Sequence, residues 1–384
     1  MAKRMRFILS TIMVIVAMTA KAQVTTASLS GKVTDPTKEA IIGATVQAIH
    51  EPSGTRYGAI TNIDGRYTIQ GMRAGGPYSV EVSYIGYQTM MFKDVTLQLG
   101  EVYNLNVQMQ ESSELLDEVI VTAQKTKFAS EKTGATTNIS NTQIANMPSI
   151  SRSITDYSRL SAYGGNGMSF AGSDGRTANF TIDGANFNNN FGLSSNLPGG
   201  GNPVSIEAID EIQIVISPFD VRQTNFIGGG INAITKSGTN TYKGTAYVYH
   251  QNENMRGDAI DREAISGARE KDQSTTYGFT IGGPIIKDKL FFFANGEMRN
   301  TPAIANRWRA SEDGVANADA YISRATVADL QTVSDIAKEK YGYDTGSFSS
   351  FPSDNKNTKL LARIDWNINN NHHLALRYNY TKNI

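Results

Sequence analysis

Apolar and polar residues alternate with a period of two over much of the chain. Between residues 27 and 110, Ala44, Val46 and Ala48 share one parity, as do Tyr67 with Ile69, and Tyr78 with Val80 and Val82. Period two places such residues on one face of a strand. Turn-forming pairs separate the runs: Asp35-Pro36, Pro52-Ser53-Gly54, Asp64-Gly65 and Gly75-Gly76-Pro77. Asp-Gly between alternating runs is a strong hairpin signal. A series of short strands punctuated this often predicts a small β-sandwich.

The next run, Leu116-Asp117-Glu118-Val119-Ile120-Val121-Thr122-Ala123, sets two carboxylates before β-branched residues, with polar linkers on both sides. A solitary strand in a tether carries unpaired N–H and C=O groups and is open to capture by another sheet edge. Residues 134–238 are rich in Gly and Asn and predict short strands with little helix. Among them are Phe180-Thr181-Ile182 ending in Asp183-Gly184, and a longer run through Ile206, Ile209, Ile212, Ile214 and Ile216.

From Tyr242 onwards the alternation is clearest. Tyr277, Phe279 and Ile281 alternate with Gly278, Thr280 and Gly282. Leu360, Ala362, Ile364, Trp366 and Ile368 alternate with Lys359, Arg363, Asp365 and Asn367, Leu361 being the exception. Leu374, Leu376, Tyr378 and Tyr380 alternate with His373, Arg377 and Asn379; Tyr242–His250 and Leu290–Arg299 complete five strands. Strands of about ten residues, apolar on one face and polar on the other, are the signature of an outer-membrane barrel. Connections alternate too: 251–273 long, 284–289 short, 300–357 very long, 369–371 short. The longest predicts a helix, with Val327, Leu330, Val333, Ile336 and Tyr341 as its stripe and Gly342 as its stop.

The N-terminus reads as an address. Lys3, Arg4 and Arg6 precede an apolar run from Phe7 to Met18, and Ala20-Lys21-Ala22 supplies a cleavage pattern, with the cut expected after Ala22. The run is short for a membrane anchor, and no Cys follows it to carry a lipid.

These motifs carry a family resemblance. Gly31-Lys-Val-Thr-Asp35, Gly43-Ala-Thr-Val46, Asp64-Gly-Arg-Tyr67 and Tyr84-Ile-Gly-Tyr87 resemble the carboxypeptidase-regulatory-like domain, which belongs to a carbohydrate-binding-like fold group. Ile182-Asp-Gly184, Ile209-Asp-Glu-Ile212 and Gly229-Gly-Ile-Asn-Ala-Ile-Thr-Lys-Ser-Gly238 resemble the plug of TonB-dependent outer-membrane receptors. Ile216-Ser217-Pro218 stands where that family has Arg-Gly-Pro. Pro218-Phe-Asp-Val-Arg-Gln223 and Asn186-Phe-Asn-Asn-Asn-Phe191 resemble the Oar-like branch. Asp117, Glu118, Val119, Ile120, Val121 and Thr122 resemble the TonB box. The resemblance implies a TonB-type periplasmic energy transducer as partner, outer-membrane lipids around the barrel and an unknown extracellular substrate, large and of glycan or peptide type.

The expected fold is therefore mainly β. It comprises a signal peptide (1–22), a sandwich (23–112), a linker with the TonB box (113–132), an α/β plug (133–238) and the first strands of an incomplete antiparallel transmembrane barrel (239–384). Plugged transporters have about 22 strands, so five predict the N-terminal part of a longer receptor. A surface carbohydrate-binding or adhesion protein, or a non-functional truncated remnant, stays open as an alternative.

Composition narrows the chemistry. There is no cysteine, which excludes disulfides and Cys-ligated metals. Lys+Arg and Asp+Glu are both 36, giving zero net charge and no global drive toward nucleic acid. The four histidines, His50, His250, His372 and His373, have no acidic partner at metal-ligand spacing. No Gly-x-Ser-x-Gly or phosphate-loop string is present. Neither an enzyme, a cofactor nor a metal is expected.

Two strings need separate weighing. Gly228-x-Gly230-x-x-Ala233 fits a dinucleotide fingerprint but precedes a strand-like run rather than a helix. Asn186, Phe187, Asn188, Asn189, Asn190 and Phe191 are the candidate substrate-binding residues; their amides either bind sugar or peptide or satisfy their own turns.

Overall fold

The computed structural model describes residues 24–111, 119–122, 135–188, 197 and 203–384, apart from 148, 150, 151, 166, 217–222, 224–226, 256, 258, 261, 262, 265–272, 307, 347–350, 354 and 371. The signal segment with Ala22 lies outside them. No helix among the described residues is long and apolar enough to cross a membrane, which says nothing of strands.

The N-terminal strands are β1 (Thr26–Thr34), β2 (Thr45–His50), β3 (Thr55–Ile60), β4 (Arg66–Arg73), β5 (Gly75–Ser83), β6 (Met90–Leu97), β7 (Val102–Asn104), β8 (Val107–Gln108) and β9 (Val119–Thr122). One sheet runs β4-β1-β7, with β8 also on β1; the other runs β3-β2-β5-β6-β9. The alternating residues point between them: Ala44, Val46, Ala48, Tyr67, Ile69, Tyr78, Val80 and Val82 are all buried with Leu29 and Val33. Burial of two tyrosines requires partners for their hydroxyls. Tyr78 donates to the Arg73 carbonyl at 2.7 Å and Tyr67 to that of Leu105 at 2.8 Å. Tyr87 packs against this core, whereas Tyr84 is exposed and rests its ring 5.8 Å from that of Tyr87.

The second block is a sheet of β10 (Ala135–Ser140), β11 (Asn179–Ile182), β12 (Ala185–Asn186), β13 (Ile209–Ile216) and β14 (Gly229–Thr235), in the order β10-β13-β14-β11-β12. β13 is buried on both faces: Ile212, Ile214 and Ile216 alternate with Glu211, Gln213 and Val215, and both sets are buried. Phe170, Phe180 and Ile139 join them in one core. The dinucleotide-like glycines start β14, a strand, so they lack the helix N-terminus that such binding needs.

The third block is a sheet of β15 (Lys243–Gln251), β18 (Ser274–Ile286), β19 (Leu290–Asn300), β24 (Lys356–Asn369) and β25 (His372–Asn383), in that order. The long connections carry the ribbons β16 (Ala259–Ile260) with β17 (Glu263–Ala264), β20 (Ala303–Asn306) with β23 (Phe351–Ser353), and β21 (Arg309–Ser311) with β22 (Ile322–Thr326). The sheet is apolar outside and polar inside. On β24, Leu360, Ile364 and Trp366 are 43–47% exposed, while Lys359, Arg363 and Asp365 are at most 8% exposed. Water-facing sheets do the reverse, so this is the pattern of a lipid-facing barrel wall. Leu361 has the inward parity of Lys359 and Arg363 and is 4% exposed. It packs with Phe293 into the core of the second block, so the exception in the alternation marks where wall meets plug.

The helix Val327–Tyr341 is stopped by Gly342 at φ 62, as expected, and is capped by Thr326. Its apolar stripe is uncovered: Val327, Val333, Ile336 and Tyr341 are all exposed.

The chain forms two compact units. One holds the sandwich, the plug, and residues up to 245, 280–295 and 360–380; the other holds 246–279, 296–359 and 381–384. Within the second, Glu297 accepts from Lys359 at 2.8 Å and from the Tyr247 hydroxyl at 2.9 Å.

Candidate functional site

Asp183 and Gly184 form the turn between β11 and β12, at φ 50 and 83. Both values are left-handed, the conformation that an Asp-Gly hairpin tolerates. The turn aims the Asp183 carboxylate at the end of β14, where it accepts from the Thr235 N–H at 3.0 Å and its hydroxyl at 2.6 Å. Two arginines of the barrel strands converge there. Arg377 Nε lies 3.3 Å from Asp183 and Arg363 Nη1 3.9 Å. Arg363 also grips Asp365 with two bonds, 2.8 and 2.9 Å, and donates to the Thr235 carbonyl at 2.6 Å. Arg73 of the sandwich reaches Asp365 at 3.4 Å. Three guanidiniums thus hold two carboxylates where plug, wall and sandwich meet. Such forked pairs are directional, and their burial makes each partner hard to lose.

A second joint ties sandwich to plug. Two residues beyond β6, the Leu99 N–H donates to Glu211 Oε1 at 3.0 Å. The Leu99 carbonyl accepts from Asn138 at 3.2 Å and from Gln213. The Leu99 side chain packs with Ala74 and with Ile234 of β14. Val24 adds a carbonyl that accepts from Asn232 at 2.6 Å.

Burial pushes the Glu211 carboxyl up to about 7 from 4.5, against the opposing pull of the Leu99 and Asn138 donors. The folded protein therefore holds a proton that the unfolded chain has released. The resulting stabilisation is full below about pH 4.5 and is lost as pH rises through 7. Thermal unfolding should show stability falling from about pH 5 to about pH 8, by on the order of 3 kcal/mol. Glu211→Gln should flatten this dependence.

A third set of contacts joins the sandwich to the short turns of the wall. The Asn240 N–H donates to the Pro52 carbonyl at 2.8 Å, and the Asn367 amide to the Thr55 hydroxyl at 2.9 Å. Gly54, at φ 62, lies so close to Asp288 that a Cβ there would sit 2.1 Å from Oδ1. Next to this contact His50 is buried with Nδ1 2.6 Å from the Ser53 hydroxyl, and burial lowers its pKa to about 3, so it stays neutral. It is a packing residue.

The expected site residues are placed unevenly. Asp117 and Glu118 lie outside the described residues. Val119, Ile120, Val121 and Thr122 form β9, which is not solitary as its sequence suggested: it pairs in parallel with β6, Met90 opposite Val119 and Lys93 opposite Thr122. An open strand edge is costly to leave unpaired, and the β6 edge accommodates it. Of the Asn run, Asn189, Asn190 and Phe191 lie outside the described residues. Asn188 accepts from the Phe180 N–H at 2.6 Å and donates to Asn179 at 2.8 Å; Asn186 accepts from the Asn188 N–H at 2.7 Å. Phe187 packs on the plug core. Asn186 and Asn188 therefore brace their own loop. Among the described residues no group of three or more His, Asp or Glu gathers as a metal set.

Leu99, Arg363, Arg377 and Arg73 were missed as site residues. Only Leu361, with its broken alternation, hinted where the wall meets the plug.

Comparisons with known proteins agree with this architecture. Residues 28–110 match the carboxypeptidase regulatory-like domain, and residues 234–311 the outer membrane beta barrel domain. The TonB-dependent transporter Oar of Myxococcus xanthus is 27% identical over 227 residues, 56% of this chain and 19% of that protein. The siderophore receptor PirA of Pseudomonas aeruginosa is 15% identical, with 66% of this chain and 35% of that one covered at a TM-score of 0.39. The outer membrane transporter YddB of Escherichia coli is 14% identical, with 65% and 33% covered at 0.44. The chain spans about a fifth of the curated relative and a third of the solved structures. These relatives are transporters and receptors, not enzymes. The chain thus carries a carboxypeptidase regulatory-like domain and an outer membrane beta barrel domain match that points to the bacterial outer membrane, and it is similar to the TonB-dependent transporter Oar.

Proposed function

We propose that this chain is the periplasmic entrance of a receptor that takes up a large substrate, a glycan or a peptide, using energy delivered by a TonB-type transducer. One observation carries the reading: a folded plug is held against a lipid-type barrel wall by the Asp183–Arg363–Asp365–Arg377 cluster. A plug so held closes a pore, and its directional ion pairs are a fastening that force can undo. The long connections 251–273 and 300–357 supply surface for a large cargo. Residues 117–122 are the coupling segment, through which the transducer pulls by pairing with the strand Val119–Thr122.

The test is cross-linking in cells. A photo-reactive residue at each position from 119 to 122 should capture the transducer with alternating efficiency, as strand pairing requires. Uniform absence of capture at all four positions would remove the transducer from the account.

A further inference from the structure

The register of the sandwich defines its two ends. β2 runs from Thr45 to His50, and the loop after His50 meets the wall turns through Pro52, Gly54 and Thr55. β5 is antiparallel to β2, and β6 to β5, so Met90 lies at the end remote from that contact and Leu97 near it. β9 is parallel to β6 and starts opposite Met90. The remote end also carries exposed apolar side chains: Ile42, Ile63 and Ile85 are 54%, 77% and 94% exposed.

β9 closes the order β3-β2-β5-β6-β9, and among the described residues no strand pairs its other edge. Its four residues are all β-branched, with no Lys, Pro or Gly to blunt the edge. The opposite edge, β3, carries both Arg56 and Gly58. The unguarded edge is therefore β9, beside the exposed apolar end.

We infer that the sandwich is itself part of the coupling machinery: an extended strand of the transducer adds to the free edge of β9 while β9 stays on β6, and the pull reaches plug strand β13 through β6 and Leu99. This rests on the transducer reading above and deepens it. The path is short. A pull toward the N-terminal end of β9 loads β6 along its own axis. β6 ends two residues before Leu99, whose backbone holds Glu211, Asn138 and Gln213. The covalent route is longer. Twelve residues, 123–134, separate β9 from β10 and can extend to about 40 Å. Yet Thr122 lies opposite Lys93, only four residues before Leu97, and the Thr136 hydroxyl already reaches Glu101 at 3.3 Å. The β6 route therefore tightens first.

A cysteine staple tests this in the intact receptor; residues 1–384 contain no cysteine. Met91→Cys with Ile120→Cys bridges registered positions of β6 and β9, and Met90→Cys with Val119→Cys is an independent second staple. The probe is the purified periplasmic domain of the host's transducer, with a photo-reactive residue at position 121 of the receptor. Equal capture by oxidised and reduced receptor is expected. Capture that appears only on reduction, with both staples, would show that β9 must leave β6 and overturns the inference. No capture even without a staple would instead sink the transducer reading itself. A second measurement needs no transducer: pulling on a handle at position 118 of the bilayer-embedded receptor. The expected trace resists at once, is the same with and without staple, and weakens in Gln213→Ala. A free extension of about 40 Å that the staples abolish would contradict it.

Discussion

Deleting Asp117–Thr122 is expected to abolish energised uptake while leaving passive ligand binding unchanged. The two effects separate because energy delivery and cargo contact are assigned to different segments, 117–122 and the long connections. Its strand meets the rest of the protein through β6, at the edge of the sandwich sheet. Losing a four-residue edge strand exposes β6 but leaves the two layers that face each other, including Val80, Val82 and Leu29, in place. Uptake of labelled glycans and peptides should fall to background, and their equilibrium binding to intact cells should not change. Uptake that survives the deletion would remove these residues from the coupling path.

Arg363→Ala has the second largest expected effect, on stability. Arg363 is the centre of the plug fastening: it satisfies Asp365 with two bonds, the Thr235 carbonyl with a third, and stands beside Asp183. Its removal leaves the two buried carboxylates with Arg73 and Arg377 as their cations, at 3.4 and 3.3 Å, and Asp183 with its Thr235 donors. Breaking a buried pair from one side costs about 3–5 kcal/mol, and the two remaining arginines put this case at the lower end. The variant should unfold at lower temperature, and its outer membrane should leak small hydrophilic solutes as the plug loosens. Arg363→Lys should recover only part of the loss, because an ammonium cannot reproduce the fork.

Much of the fold is legible in the sequence because period two is a local property. Each strand announces its own faces, and alternating long and short connections announce how barrel strands are joined. The inverted exposure of β24 follows directly from the order Lys359-Leu360, Arg363-Ile364, Asp365-Trp366. What a strand does not announce is its neighbour. Nothing in Val119–Thr122 names β6 as its partner, and a parallel pairing leaves no hairpin turn to mark it. The joint between sandwich and plug was illegible for the same reason: Leu99 and Glu211 are 112 residues apart, and nothing local to either names the other. The Asn run was open to two readings. Amides that could face a substrate also cap their own loop, and Asn186 and Asn188 do the latter. The exposed stripe of Val327–Tyr341 is a further reminder that period alone predicts a helix, not what covers it.

The central claim is that force from an energised transducer moves this plug. The direct test measures uptake before and after collapse of the inner-membrane proton gradient, in cells carrying either the intact receptor or the one lacking residues 117–122. The account predicts that collapse stops uptake by the intact receptor and changes nothing in the deletion, where uptake is already at background. Equal uptake in all four conditions would contradict it and leave a binding or adhesion protein as the better description.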